Sequence, residues 1–258
     1  MLFLHGTGTY SATFEPVTGK LPEGIRAITY DRRGFGASGD VLAGSLGVHV
    51  EDAAALLEAL GASPAVVCGS SAGGLLALRL ALARPDLVSA LILVEPAYQM
   101  ALTPSPTASA TLGAVYLQRW LGRDPEGAAL RFYRWATGYS WGGNQYDSYP
   151  EEWRRTAAGH TAAVLRELSQ LILPHPRRSA VRGLSVPTSV IIGDAGRPVF
   201  QRTARLVLRL VPGAKEVAAP GAAHLVYTDQ PEICAQAIAD VLAREGARAR
   251  EGVRPHGV

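Results

Sequence analysis

The stretch VVCGSSAGGLLAL (66–78) carries the strongest chemical signal in the chain. Within it, Gly69-Ser70-Ser71-Ala72-Gly73 follows an apolar run and opens a helix-forming run, the setting a Gly-x-Ser-x-Gly sequence needs. A serine there sits at the apex of a very tight strand-to-helix turn. Small residues two before and two after it let the backbone fold back without clashes. This places Ser71, not Ser70, at the apex, with its hydroxyl projecting above the strand ends at a helix N-terminus. Such a hydroxyl becomes a nucleophile when a neighbouring base takes its proton. Two acids stand at the ends of apolar runs, Glu95 in LILVEPAY and Asp194 in IIGDAGRP. Each either serves that chemistry or only shapes a turn.

Residues so far apart in the chain need a scaffold to meet. LFL (2–4), RAITYD (26–31), AVVCG (65–69), LVSALILV (87–94), TSVIIGD (188–194) and KEVAA (215–219) read as strands. The central ones are apolar without alternation, as strands buried on both faces are. Helical patterns separate several of them: SLGVHVEDAAALLEALG with Ser45 as its cap candidate, AGGLLALRLALARPD, RPVFQRTARLVLRLVPG and QPEICAQAIADVLAREG. This alternation predicts an α/β fold with a mostly parallel, doubly wound sheet.

The alternation breaks over residues 98–185. Beyond the hinge TPSPTASA, helices are expected near 110–122, 125–138, 148–158 and 160–173, with no strand. All four Trp and most of the Tyr fall in this region. An aromatic helical insert between two sheet strands reads as a lid over an apolar pocket. Residues 1–97 and 186–245 then form the core, and 246–258 a flexible tail. Trp120, Trp135, Trp141, Trp153 and Tyr98 are the candidate substrate contacts.

Four stretches in order, FLHGTGT (3–9), YDRRGFGASG (30–39), GSSAGG (69–74) and PGAAH (220–224), together resemble the α/β-hydrolase family. The resemblance runs over nearly the whole chain. It implies an oxyanion loop, an Asp-x-Arg-Gly-x-Gly-x-Ser loop, a nucleophile elbow and a histidine loop. His224 is then the base that takes the Ser71 proton and returns it to the leaving group. It stands beyond the last strand, on a glycine-rich approach that lets the loop reach back to Ser71. The backbone N–H of Ala72 and, by the resemblance, that of Thr7 are the oxyanion donors, a contribution of about 10²–10³ in rate. His5 is by the same resemblance a structural residue. One departure stands out: family members usually carry a strand pair or more before the oxyanion loop, which begins here at residue 5. Either the N-terminal strands are trimmed or the native chain starts upstream, and a bare sheet edge is expected near the site.

The resemblance offers two places for the acid that orients His224. The commoner follows the penultimate strand, where this chain has Gly196, with Asp194 two residues early. The other ends the strand after the elbow helix, where Glu95 directly follows Val94, a placement similar to haloalkane dehalogenases with a Glu acid and to zearalenone lactonases. A Glu also reaches farther than an Asp. Glu95 is favoured and Asp194 is the alternative.

A serine nucleophile excludes the dehalogenase mechanism, which uses a carboxylate there. The reading is a hydrolase that cleaves an ester or lactone of a bulky apolar or aromatic substrate through an acyl-enzyme on Ser71. The lactone arm rests on the resemblance to zearalenone lactonases. The alternatives are a cofactor-free oxygenase, a lyase or another non-hydrolytic enzyme of the same fold, or a ligand-binding receptor that retains the triad.

Other classes are disfavoured. Gly34-Phe35-Gly36-Ala37-Ser38-Gly39 has dinucleotide-site spacing, but no helix opens directly after a strand there. His160 and His175 lack paired ligand spacing, so neither a metal nor a cofactor is expected. His49 reads as a surface or lid-contact residue. The net charge of +3 is spread out and the Arg-rich end carries no aromatics, which argues against a nucleic-acid partner. Cys68 and Cys234 read as buried free thiols of a reducing compartment. MLFLHG is no signal peptide, and LVSALILV is too short to span a bilayer. A cytoplasmic protein without membrane partners is expected, acting on a small apolar molecule, with a homodimer left open.

Overall fold

A computed structural model of the chain describes residues 1–39, 41–122, 124–170 and 175–252. Six strands, β1 (Leu2–Leu4), β2 (Ile28–Thr29), β3 (Ala65–Ser70), β4 (Val88–Val94), β5 (Thr188–Gly193) and β6 (Lys215–Ala219), form one sheet. Their order is β2-β1-β3-β4-β5-β6, and every neighbouring pair is parallel. The segment 26–31 contributes only two residues, because its one neighbour, β1, is three residues long and pairs Leu2 with Ile28 and Phe3 with Thr29.

The unalternating strands have a simple cause. In β4, Leu91 and Leu93 enter one apolar cluster, while Ala90, Ile92 and Val94 enter a second on the opposite face. In β3, Val67 goes to the first and Val66 and Cys68 to the second. Both faces are covered, so both sets of side chains are apolar. Helices α2 (Leu46–Ala59), α3 (Ala72–Ala83) and α10 (Pro198–Leu210) build the first cluster. Helices α1 (Glu15–Thr18), α11 (Val226–Asp229) and α12 (Pro231–Gly252) build the second. Ser45 stands at the N-cap of α2 as expected, but its side chain makes no capping bond. Cys68 and Cys234 are buried free thiols, and burial raises the pKa of both. Helix α12 continues to Gly252, so much of the stretch expected as a flexible tail is helical, and 253–258 lie outside the described residues.

Between β4 and β5 the chain leaves the sheet for an insertion of α4 (Pro106–Trp120), α5 (Pro125–Ala136), α6 (Gln145–Ser148), α7 (Glu151–Gly159), α8 (Thr161–Gln170) and α9 (Arg178–Arg182). Asp124 caps α5 by accepting the Gly127 N–H at 2.9 Å, and Asn144 caps α6 by accepting the Asp147 N–H at 2.9 Å. Among the described residues no sheet strand lies in this region; one isolated antiparallel bridge joins Gly138 and Asn144. Because all the strands run parallel, the segments after β1, β3, β4, β5 and β6 emerge at one edge of the sheet, where sites of open α/β sheets form.

Candidate active site

Ser71 follows β3 and caps α3 with φ 53° and ψ −117°, a conformation that costs energy for a residue with a Cβ. The surroundings hold it there. Its N–H donates to the Val94 carbonyl at 2.9 Å, and its own carbonyl accepts from Ala97 at 2.9 Å and Leu75 at 3.2 Å. The flanking glycines are obligatory. A Cβ at Gly69 would meet the Gly73 carbonyl oxygen at 2.3 Å, and one at Gly73 would meet the Leu4 oxygen at 2.0 Å. The small residues around the serine are therefore a steric consequence of its tight turn.

His224 follows β6 and is buried. Its Nε2 lies 2.9 Å from Ser71 Oγ. Its Nδ1 lies 2.8 Å from Oε2 of Glu95, which follows β4 and is fully buried. Glu95 Oε1 accepts the Gly193 N–H at 3.1 Å, so both carboxylate oxygens are engaged. Glu95 itself has φ 41°, a positive value that turns the chain from β4 into the insertion. Burial raises the Glu95 pKa well above the carboxylate range, and the Gly193 bond opposes that shift. Burial also lowers the His224 pKa, to about 3, so the imidazole is neutral near pH 7 and its Nε2 can accept a proton. Phe200, in the first turn of α10, stacks on the imidazole with ring centroids 3.5 Å apart and planes 16° apart. Phe200 has no counterpart in the sequence reading. Its only signal is its place in the helix directly after IIGDAGRP.

Asp194 lies elsewhere. It is exposed, and its Oδ1 accepts the Gly221 N–H at 2.7 Å, bracing the loop that carries His224. A Cβ at Gly196 would sit 3.1 Å from the His224 backbone nitrogen, so this turn packs against the backbone of His224.

The loop after β1 completes the site. His5 accepts the Arg32 N–H at Nε2 (3.0 Å), and its Nδ1 lies 2.9 Å from the Gly6 carbonyl. These partners assign the neutral tautomer with Nδ1 protonated, and burial lowers the pKa of His5 well below its usual value. Both ring nitrogens are thereby occupied in holding the loop. Thr7 lines the cavity beside Ser71 and His224. Ala72 opens α3, so its N–H is one of the donors a helix start leaves without an intrahelical partner.

The cavity at these groups is narrow, about 30 Å³. Besides Ser71 and His224, its wall includes Phe132, Tyr133, Tyr146, Tyr149 and Trp153 from the insertion. These rings support one another. Tyr133 stacks on Tyr146 with centroids 5.2 Å apart, Tyr149 meets Tyr146 edge-on, and Trp153 meets Tyr149 edge-on. Of the five aromatic contacts expected from the sequence, Trp153 alone is on this wall. Trp120, on the outer face of α4, is 81% exposed, and Trp141, beside the glycine turn Gly142-Gly143, is 69% exposed. Trp135 is buried behind Phe200 at 5.4 Å. Tyr98 is buried, its hydroxyl donating to the Pro176 carbonyl at 2.8 Å. Composition located the aromatic insert but not its inward face. Phe132, Tyr133, Ala136 and Thr137 share one helical stripe, a spacing that could have found that face.

The remaining expectations divide. His49 is buried, with its Nε2 3.6 Å from Glu167 of α8, so it contacts the insertion rather than solvent. His160 accepts the Gly36 N–H at 2.7 Å, tying the glycine-rich loop to the insertion, and that loop holds a short 3₁₀ turn, Gly36–Ser38. Among the described residues no cluster of His, Cys, Asp and Glu could hold a metal ion, and no helix is long and apolar enough to cross a membrane.

A sequence profile of the alpha/beta hydrolase family matches residues 1–237. The chain is 27% identical to a 2-(acetamidomethylene)succinate hydrolase of Mesorhizobium japonicum over 254 residues, covering 94% of this chain and 87% of that one. It superposes on a thermophilic esterase from Thermogutta terrifontis with a TM-score of 0.74 at 25% identity, over 95% of this chain and 89% of the other. A hydrolase from Pseudomonas aeruginosa gives 0.74 at 23% identity, over 93% and 88%. The parallel sheet, the helical insertion and these matches agree, and the chain is an enzyme belonging to the alpha/beta hydrolase family.

Proposed function

We propose that the enzyme is a serine hydrolase that cleaves an ester or lactone bearing a bulky apolar or aromatic group. The observation that carries this reading is the hydrogen-bonded line Ser71 Oγ to His224 Nε2 (2.9 Å) and His224 Nδ1 to Glu95 (2.8 Å), ending at an aromatic cavity. In this mechanism His224 takes the Ser71 proton as Oγ attacks the carbonyl carbon. The oxyanion is bound by the N–H groups of Thr7 and Ala72. Collapse of the tetrahedral intermediate passes the proton from His224 to the leaving oxygen and leaves Ser71 acylated. His224 then removes a proton from water, whose oxygen attacks the acyl carbon, and the proton returns to Ser71. Glu95 holds the imidazole orientation and stabilises its charged form. The helical insertion serves as the lid, its rings excluding water from the reacting bond.

The relative from Mesorhizobium is named for a dicarboxylate substrate. Among the described residues of this cavity wall there is no Lys or Arg, which favours a neutral substrate here. The reading is tested with a fluorophosphonate probe and a panel of aryl esters and macrocyclic lactones. Stoichiometric labelling at Ser71, with turnover of at least one panel member abolished in Ser71→Ala, is the expected result. Turnover without labelling would overturn the acyl-enzyme and favour a non-hydrolytic reaction.

A further inference from the structure

Thr7 is tied to a residue 160 positions away. Its hydroxyl donates to Oε1 of Glu167 at 2.5 Å, and Glu167 belongs to α8 of the insertion. The same carboxylate receives the Arg32 guanidinium, NH1 to Oε2 at 2.6 Å and NH2 to Oε1 at 3.2 Å. Both partners are buried, Arg32 completely, so water does not screen this contact. Arg32 in turn reaches the backbone of the loop after β1, donating from Nε to the His5 carbonyl at 3.1 Å and from NH2 to the Gly6 carbonyl at 3.1 Å.

The Gly6 carbonyl sets the direction of its neighbour. It also accepts from the Thr9 hydroxyl at 3.2 Å and the Thr9 N–H at 3.4 Å. In a trans peptide the C=O and the following N–H point in opposite directions. Holding the Gly6 oxygen toward Arg32 therefore turns the Thr7 N–H away from it. One carboxylate of the insertion thus restrains Thr7 twice, through its own hydroxyl and through the guanidinium that holds the preceding peptide.

We propose that Glu167 is a positioning residue for oxyanion binding, fixing the aim of the Thr7 N–H through the Thr7 hydroxyl and Arg32. This makes docking of the insertion a condition of transition-state stabilisation as well as of substrate enclosure. The inference rests on the serine-hydrolase reading and deepens it. Its signature is a loss in kcat with KM kept, because an oxyanion donor acts more strongly in the transition state than on the bound ester.

The test compares Thr7→Val, Thr7→Ser and Glu167→Gln with the wild-type enzyme. Each is assayed below its own melting temperature for aryl-ester kcat and KM, and for binding of an arylboronic acid that forms a tetrahedral adduct with the serine. Thr7→Val keeps the side-chain shape and the Arg32–Glu167 pair, so it stays informative if Glu167→Gln fails to fold. Thr7→Val is expected to lose about 10-fold or more in kcat, with KM within about 2-fold and boronate affinity weakened in parallel. Thr7→Ser restores both, and folded Glu167→Gln follows Thr7→Val. Wild-type kcat and boronate affinity in Thr7→Val, or a loss in Thr7→Ser equal to that in Thr7→Val, would overturn the positioning role alone. A wild-type enzyme that neither hydrolyses an ester nor labels at Ser71 would overturn the serine-hydrolase reading, and this proposal with it.

Discussion

Ser71 and Trp153 line the same cavity, one from the sheet and one from the insertion. Ser71 is placed by its backbone. Its φ of 53°, the glycines at 69 and 73 and the parallel neighbours β1 and β4 leave little room for another arrangement. Trp153 is placed by packing, through its edge contact with Tyr149 and that ring's contact with Tyr146. Backbone constraints are local and leave glycines and turn residues in the sequence. Packing constraints join helices distant in the chain, and many apolar residues satisfy them. The two walls should therefore respond differently to mutation: the sheet side residue by residue in catalysis, the insertion side by which rings face inward.

The largest effect is expected at the two acids. Glu95→Gln removes the carboxylate bonded to His224 and should lower kcat on an aryl ester by about 10⁴-fold, while Asp194→Asn keeps kcat within a few-fold. The reverse pattern would show that Asp194 replaces Glu95 during turnover, and would break the claim that the backbone fixes the groups on the sheet side of the cavity. Next come the tryptophans. Trp153→Ala removes cavity-wall area and should lower kcat/KM for a bulky apolar ester by about 10-fold or more, with less effect on an acetyl ester. Equal losses on both esters would mean that Trp153 supports the fold rather than the substrate.

A smaller effect is expected in the pH profile. In the proposed mechanism the reactive form of His224 is the neutral one. Its pKa is lowered by burial to about 3, so activity is retained as pH falls and is lost only on passing that value. The acid limb of kcat/KM should lie well below the ordinary imidazole pKa of about 6.5. Phe200→Ala uncovers the ring and should move that limb upward. A wild-type limb near the ordinary value would show that solvent or the Glu95 charge offsets burial of the ring. The smallest effects belong to the exposed tryptophans. Trp120→Ser and Trp141→Ser should leave kcat/KM unchanged and thermal stability within about 0.5 kcal/mol, as surface positions do.

Much of the candidate site was legible before folding, for identifiable reasons. Ser71 announces itself because an elbow with a Cβ at 69 or 73 would collide with backbone. His224 stands on a return of small residues, Gly221-Ala222-Ala223, after the last strand. The strands of the core read clearly because both faces of β3 and β4 are buried and every side chain must be apolar. The strand at 26–31 read too long, since its short neighbour β1 supports only Ile28–Thr29. Glu95 over Asp194 was legible only in part. Both acids end a strand, and what separates them is that one carboxylate reaches His224 while the other reaches the Gly221 N–H.

The sequence by itself determined most of the elements, the parallel sense of the sheet and the turn that lifts Ser71, because steric limits on φ and ψ and the period of apolar residues are local properties. Tertiary structure alone decided which aromatic rings face the cavity, that Phe200 covers His224, and that Glu167 meets Thr7 and Arg32. Those contacts join residues separated by 24 to 160 positions. No local pattern encodes them, since each depends on how a whole helix, of the insertion or in the case of Phe200 of the core, docks against the sheet edge.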